Sequence, residues 1–223
     1  MTGLLVSLVD LVLPRECAGC GRPGTLLCAG CLPGAGPVPV PSAVLPVLAA
    51  GRYDGGLRRA IVRYKERDRR ELAGPLGAAL ASAVAALAAS DTAAAPVLVP
   101  VPSSPRAARE RGGDHVLRLA RHAARRTATP LVPALSLARR VRDSAGLHRD
   151  ERAANLAGAM RAAGPAGAGA AVIVDDIVTT GATLHEAARA LREAGWTILG
   201  GAAVAATPRR AGSAGRYAPG GLP

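Results

Sequence analysis

Two clusters in the 223-residue chain carry residues whose types and spacing can do chemistry. Cys17, Cys20, Cys28 and Cys31 form two CxxC pairs, with Gly19, Gly21 and Gly30 beside the sulfurs. Glycines at such turns let backbone N–H groups approach a thiolate, and four thiolates at about 2.3 Å make the closed tetrahedral site that Zn²⁺ prefers. With no open coordination position such a zinc is structural. Two disulfides, or a redox CxxC, are the other readings of the same residues. Disulfides belong to oxidising compartments, and a redox pair opens a helix in a βαβ context, whereas this segment is rich in loop formers. The second cluster is AVIVDDIVTTGATL, Ala171 to Leu184. An apolar strand leads into two carboxylates, then into a turn with threonines and a glycine, then into a helix. Ligands of a parallel sheet sit at the carboxyl ends of its strands, so Asp175 and Asp176 can accept hydrogen bonds from the vicinal hydroxyls of a sugar. Gly181 can take the backbone angles of a tight turn. Amides from Thr179 through Thr180, Gly181 and Ala182 to Thr183 then converge at a helix N-terminus, where the dipole favours a phosphate and the threonine hydroxyls add donors. Helix capping after a core strand is the plainer reading of the same run.

The elements that must position these residues follow from periodicity. Leu4, Leu5, Leu8, Leu11 and Val12 recur at helical spacing and predict a short amphipathic helix before the cysteines. Pro33 to Pro46, rich in Pro, Gly and Ala, reads as an extended linker. Leu57, Ile61, Val62 and Leu72 predict a helix with a basic face, and Leu76, Leu80, Val84 and Leu87 a second, apolar one. VLVPVP from Val97 to Pro102 reads as a buried parallel strand, Arg106 to Arg126 as one basic helix, and Pro130 to Leu137 as a further strand. A polar, arginine-rich stretch from Arg139 to Asn155 is long enough to be a functional loop. Val172 to Val174 and Thr197 to Ala206 read as strands around a helix from Ala182 to Ala194 that Gly195 ends. Strands alternating with helices predict an α/β fold with a parallel sheet flanked by helices. The expected layout is a helix and cysteine knuckle over 1–36, a linker over 37–46, the sheet domain over 47–207, and a disordered tail over 208–223.

Composition narrows the function classes. The chain holds 28 Lys and Arg against 16 Asp and Glu, a formal charge of +12, and Lys65 is its one lysine. Walker A chemistry needs a lysine after a glycine-rich turn, and Lys65 sits in RYKERD, so that class is excluded. A lysine Schiff base would have to be Lys65. The charge favours anionic partners such as phosphates and nucleic acid. Arginine and alanine in excess also match GC-rich codon usage. Phe is absent, and Trp196, Tyr53, Tyr64 and Tyr217 are the only aromatics, few for a protein that stacks single-stranded bases. The apolar run Leu4 to Leu13 contains Asp10 and lacks a basic flank and a cleavage site, and Leu76 to Ala89 is too short to span a bilayer. A cytoplasmic protein with no stable membrane span is expected.

VIVDDIVTTGATL resembles the PRPP-binding motif of type I phosphoribosyltransferases. Combined with Cys17 to Cys31 in front, the chain resembles the competence protein ComF family from about Leu5 to Arg210, through LVDLVLPREC, RYDGGLRRAIVRYKERDRRELAGPLG, VPVPSSPRAARERGGDHVLRLA and RRVRDSAGLHRDERAANLAGAM. The resemblance implies a phosphoribosyltransferase-like sheet domain behind a zinc knuckle. It implies PRPP or another phosphoribosyl ligand with Mg²⁺, Asp175 and Asp176 on ribose hydroxyls, and Thr179 to Thr183 on the 5-phosphate. It also implies a pyrophosphate loop at Pro102, Ser103 and Ser104, and a mobile loop over Arg139 to Asn155 whose arginines, Arg142 among them, meet the departing pyrophosphate. A link to DNA uptake in natural competence is implied too, with single-stranded DNA and competence helicase or recombination-mediator proteins as partners. The chain departs from the family where Arg-Gly-Phe-Asn-Gln is usual and Arg111-Gly112-Gly113-Asp114-His115 stands. It departs again at Ser144, where a glutamine is expected, and at Thr179, where purine-salvage members place an acid. His115 and His148 are candidate substitutes for the missing base, although a histidine among arginines reads more readily as a solvated surface residue. A non-catalytic single-strand binder using the basic faces is the alternative function.

Overall fold

The strands with the strongest apolar runs form the centre of one sheet. The computed structural model describes residues 15–34, 36–67, 69–90, 95–138, 155–165 and 170–208. The elements, in order, are β1 (Val38–Pro39), β2 (Val47–Arg52), α1 (Gly55–Glu66), α2 (Ala73–Ser90) behind a 3₁₀ turn at Arg70–Leu72, and β3 (Pro96–Pro100). There follow α3 (Pro105–Glu110), α4 (His115–Thr127), β4 (Leu135–Leu137), β5 (Met160–Ala162), β6 (Ala170–Val178), α5 (Ala182–Glu193) and β7 (Thr197–Ala206). The main sheet runs β1-β2-β7-β6-β3, parallel except for β1, which pairs antiparallel with β2 at the edge. The expected α/β fold with a helix-flanked parallel sheet is what forms. β4 and β5 make a separate antiparallel pair.

Both faces of the sheet are covered, which is why β6 is apolar at nearly every position up to Asp175. On one face Val172, Val174, Ala202 and Val204 pack with Leu57, Ile61, Leu76, Leu80 and Leu119 from α1, α2 and α4. On the other Ala171, Ile173 and Ala203 pack with Leu184, Ala187 and Leu191 of α5 and with Met160. With no Phe available, close approach supplies the packing that large rings would otherwise give. A Cβ at Gly201 would lie 2.9 Å from Leu184, and one at Gly200 would lie 2.9 Å from Leu87, so the paired glycines of β7 let a helix settle on each face. The run Leu76–Ala89, expected to be too short to span a bilayer, lies within the longer helical stretch Arg70–Ala89, 20 residues with an 18-residue window of mean hydropathy 1.8, which by length and composition alone could cross a membrane. Its apolar side is spent on the core, where Leu72, Leu76, Leu80 and Val84 are fully buried.

Several sequence expectations need revision. The segment expected as a linker contributes β1, and β2 was not anticipated because VLAAGR is short and holds few β-branched residues. The single helix over Arg106–Arg126 is two, since Gly112 and Gly113 take positive φ and Asp114 restarts the chain as the N-cap of α4. In the strand expected over 130–137, Leu131 forms one parallel bridge to Leu98 and only Leu135–Leu137 is a strand. The β6 strand runs on to Val178, so the two aspartates lie within it. The N-terminal helix of Leu4–Leu13, the loop 139–154 with Arg142, Ser144 and His148, and the tail 209–223 lie outside the described residues.

Candidate functional site

Parallel pairing puts the C-terminal ends of β2, β3, β6 and β7 at one edge, and the phosphate-type motif lies there. Asp175 and Asp176 are 8% and 5% exposed. Asp176 Oδ2 receives Lys65 Nζ from α1 at 2.8 Å and His115 Nε2 from α4 at 2.6 Å. Burial alone would raise the Asp176 pKa, but the Lys65 charge and the bond from His115 outweigh it and hold the carboxyl below the usual range. Asp175 has the opposite fate. Burial and the neighbouring Asp176 charge push it up, and the Asp176 N–H that donates to its Oδ1 at 2.8 Å only partly offsets them. The two adjacent carboxyls are therefore driven apart, one kept ionised and one kept toward its protonated form.

Lys65, which the sequence offers as the only possible Schiff-base lysine, is instead an ion-pair partner of Asp176. Its burial would lower its pKa, but Asp176 and then Asp175 more than compensate and hold it above the ordinary lysine value. An ammonium held this way is unsuited to a Schiff base, which needs the free amine. His115 was read as more readily a surface residue, yet it is buried with 6% exposure and bridges two elements. Its Nε2 meets Asp176 and its Nδ1 lies 3.0 Å from Ser103 Oγ, while its carbonyl accepts the Tyr64 hydroxyl at 2.8 Å. The missed signal is an N-cap aspartate directly before it: Asp114 fixes the start of α4 and turns the first helical side chain inward.

The turn after β3 lies level with these carboxyls, since Pro100 pairs with Val174 and Val101 N–H donates to the Val174 carbonyl at 3.0 Å. Pro102, Ser103 and Ser104 occupy it, all half-buried. Ser103 donates its N–H to Asp114 Oδ2 and its hydroxyl to Asp114 Oδ1, each at 2.9 Å, and Ser104 caps α3 by accepting the Ala107 N–H. On the other side of the carboxyls, the turn from Thr179 to Thr183 opens α5. Gly181 sits at the N-cap with φ +82°, the left-handed angle expected from glycine there, and the Ala182 N–H donates to Thr180 Oγ1 at 3.3 Å. Beyond Ala182, whose N–H is taken by Thr180, the first-turn amides of α5, Thr183 among them, lie at the helix end, where its dipole favours an anion. A cavity of about 200 Å³ flanks this turn, lined by Val40, Ser42, Arg52, Thr179, Gly181 and Thr207 among others. The sequence-derived binding residues that are described thus converge on one edge, with Lys65, Asp114 and His115 added to them.

The cysteines make a second site. Cys17, Cys20, Cys28 and Cys31 are free thiols whose sulfurs all lie within 4.8 Å of one another. A tetrahedron with 2.3 Å arms has edges of about 3.8 Å, and the Cys20 and Cys28 sulfurs stand 3.6 Å apart. The N–H groups of Cys28 and Gly19 approach Cys17 Sγ at 3.3 and 3.4 Å, as the glycine spacing leads one to expect. Burial would raise the Cys17 thiol, but these backbone bonds bring it down to about 6, while burial and the other sulfurs push Cys31 up to about 12. Four free sulfurs this close together could hold a metal ion. The knuckle is fastened to the sheet domain: Arg59 donates to the Gly19 carbonyl, and Cys31 Sγ fills the space left by Gly19 and Gly56.

Comparison with known proteins agrees with the sheet-edge site. Residues 117–217 match the family model of the phosphoribosyl transferase domain, a span that holds β6, the turn at 179–183, α5 and β7. No curated protein matches the chain. The chain is phosphoribosyltransferase-like in its sheet domain and carries a four-cysteine cluster before it.

Proposed function

We propose that the chain binds PRPP or a related ribose 5-phosphate at the sheet edge. In this reading the 5-phosphate sits on the turn from Thr179 to Thr183, and Asp175 and Asp176 meet the ribose hydroxyls. One observation carries it: the helix-start turn and the two carboxyls stand in consecutive positions at the C-terminal edge of a parallel sheet, within the span that matches a phosphoribosyl transferase domain. The Pro102–Ser104 turn and Lys65 stand beside the carboxyls, on the side where this reading puts the first carbon of the sugar. Transfer of the phosphoribosyl group to an acceptor is the enzymatic form of this reading. Mg²⁺ accompanies a diphosphate ligand through phosphate oxygens and water. The four-cysteine cluster holds structural zinc, because its donor set and spacing suit that metal. A cytoplasmic ComF-type protein linked to DNA uptake is the cellular form of the proposal, and it rests on sequence resemblance.

The test is calorimetric titration with ribose 5-phosphate and with PRPP plus Mg²⁺. At least one should bind, and Asp176→Ala should weaken it by roughly ten- to a hundredfold, the effect of losing a charged hydrogen bond. No heat from either at millimolar concentration removes the reading. A second reading, binding of single-stranded DNA, is favoured by the exposed arginines Arg58 and Arg59 on α1 and Arg121, Arg125 and Arg126 on α4. With few aromatics to stack bases, that binding must weaken steeply with salt. Affinity that is flat with salt removes it.

A further inference from the structure

The cysteine cluster and the sheet-edge carboxyls are fastened to opposite ends of one helix. At the start of α1, Cys31 Sγ fills the space that Gly56 leaves by having no Cβ, and Arg59 donates to the carbonyl of Gly19, between the first two cysteines. Leu57 and Ile61 share a buried cluster with Cys17, Leu27 and Cys31. At the other end Lys65 Nζ reaches Asp176 Oδ2 at 2.8 Å, the Tyr64 hydroxyl donates to the His115 carbonyl at 2.8 Å, and the Lys65 carbonyl accepts Arg111 Nε at 3.1 Å. Gly56 and Lys65 lie about 13 Å apart along the helix axis, at a rise of about 1.5 Å per residue. A helix this short shifts as one body. Movement at the cysteine end is therefore delivered to the ammonium that pairs with Asp176.

The sulfurs differ in their access to solvent. Cys17 and Cys31 are buried, whereas Cys20 is exposed and Cys28 half-buried, and the sulfurs of the last two stand 3.6 Å apart. A peroxide arriving from solvent meets that pair first. The two sulfurs give up one electron each as an S–S bond forms, the O–O bond of hydrogen peroxide takes the pair and breaks, and two protons, from the thiols or from solvent, complete two waters. Cys17 and Cys31 then remain as the only sulfur donors, half the set that a closed zinc site uses.

We propose that the cysteine cluster is a thiol switch on the sheet-edge site: oxidation of Cys20 with Cys28 by a peroxide releases the metal, loosens the seat of α1, and weakens sugar-phosphate binding through Lys65 and Asp176. The proposal rests on the phosphoribosyl and zinc readings above and adds regulation to them. Arg59 is a positioning residue, since it acts on the site through α1.

The experiment is calorimetry on the full zinc-loaded chain with ribose 5-phosphate and with PRPP plus Mg²⁺, before and after hydrogen peroxide. Zinc release is read with a chromophoric chelator, disulfides by mass spectrometry, and helix content by circular dichroism. The oxidised chain should keep its helices, carry a Cys20–Cys28 disulfide, lose its zinc and bind about tenfold more weakly, and a thiol reductant with zinc should restore it. Arg59→Met removes one clasp with every cysteine in place. Its reduced form should already bind more weakly than wild type, and oxidation should then lower its affinity by less than in wild type. Unchanged affinity in the oxidised, zinc-free chain overturns the proposal and leaves the phosphoribosyl reading standing. So does a disulfide that leaves out Cys20 or Cys28, or a reduced chain that holds no zinc. An oxidation effect as large in Arg59→Met as in wild type overturns α1 as the carrier, and loss of helices on oxidation overturns the switch, because the cluster would then hold the whole fold. Failure of both ligands with reduced protein removes the phosphoribosyl reading and this proposal with it. If Arg59→Met misfolds, the wild-type comparison of reduced and oxidised chains still decides.

Discussion

The imidazole of His115 stands between Asp176 Oδ2, at 2.6 Å, and Ser103 Oγ, at 3.0 Å, joining the strand that carries the carboxyls to the turn after β3. Removing it leaves a buried carboxylate with one partner fewer. His115→Ala should cost about 1.5 to 3 kcal/mol in urea unfolding, the range for hydrogen bonds to charged groups, and His115→Gln should recover part of it through its side-chain amide. Equal stability of wild type and alanine variant would show that the bridge does not contribute.

Lys65→Met is the harsher change at the same carboxylate. The Asp176 charge would keep only His115 beside it, and breaking a buried pair from one side costs about 3 kcal/mol or more. The sign with pH is fixed by Asp176. Its folded pKa is depressed, so its stabilisation is present above the ordinary carboxylate range and lost as pH falls through the folded value. The gap between wild type and Lys65→Met should be widest near neutral pH and shrink toward about pH 3. A gap that widens in acid would contradict this assignment.

Asp175 gives the opposite slope. Its folded pKa is raised by burial and by Asp176, so its contribution is complete below the unfolded value and is lost as pH rises toward the folded one. Asp175→Asn escapes that loss. In thermal melts the variant should gain on wild type as pH rises from about 4 to 9, with little difference at the acid end. A difference independent of pH would mean that Asp175 ionises as readily in the folded chain as in the unfolded one.

What the sequence showed and hid follows from locality. The β6–α5–β7 unit was legible because each signal lies within its own element: apolar runs, a Thr-Thr-Gly turn, a Gly195 stop. The break between α3 and α4 was also written locally, in Gly112, Gly113 and Asp114, and a long run of arginines masked it. The ion pair of Lys65 with Asp176 and the burial of His115 were not legible, because each depends on helices that the sheet brings together from distant parts of the chain. Glu186 is hidden for the same reason. Placed mid-helix it reads as a solvated acid, yet it is buried, accepting the Met160 N–H at 2.9 Å and pairing with Arg189, and so fastens β5 to α5.

The cysteine cluster and α1 should fall together. Cys17 and Cys31 belong to the same buried cluster as Leu57 and Ile61, so loss of metal should reach the sheet domain. Reduced protein should contain one zinc per chain by elemental analysis, and Cys28→Ser or a strong chelator should remove it and lower the melting temperature. Gly56→Ala tests the docking separately, because its Cβ would come within 2.4 Å of Cys31 Sγ. That variant should be destabilised while its isolated CxxC spacing is intact. Unchanged zinc content in Cys28→Ser would remove the metal assignment.

The turn at the start of α5 separates a backbone role from a side-chain role. Gly181 holds φ +82°, where a β-branched residue is strained by about 1 to 2 kcal/mol, and in the proposed function its amide neighbours hold the phosphate. Gly181→Val should therefore cost stability and also displace those amides, so that ribose 5-phosphate affinity falls by more than about tenfold. Thr180→Val is milder. It removes the acceptor of the Ala182 N–H, a long contact at 3.3 Å, and one hydroxyl donor, worth about 0.5 to 1.5 kcal/mol together, while the helix end keeps its shape. Calorimetry on both variants, with circular dichroism to confirm folding, should rank Gly181→Val well below Thr180→Val in affinity. The reverse order, in a folded Gly181→Val protein, would place the phosphate on the threonine hydroxyls and away from the backbone amides.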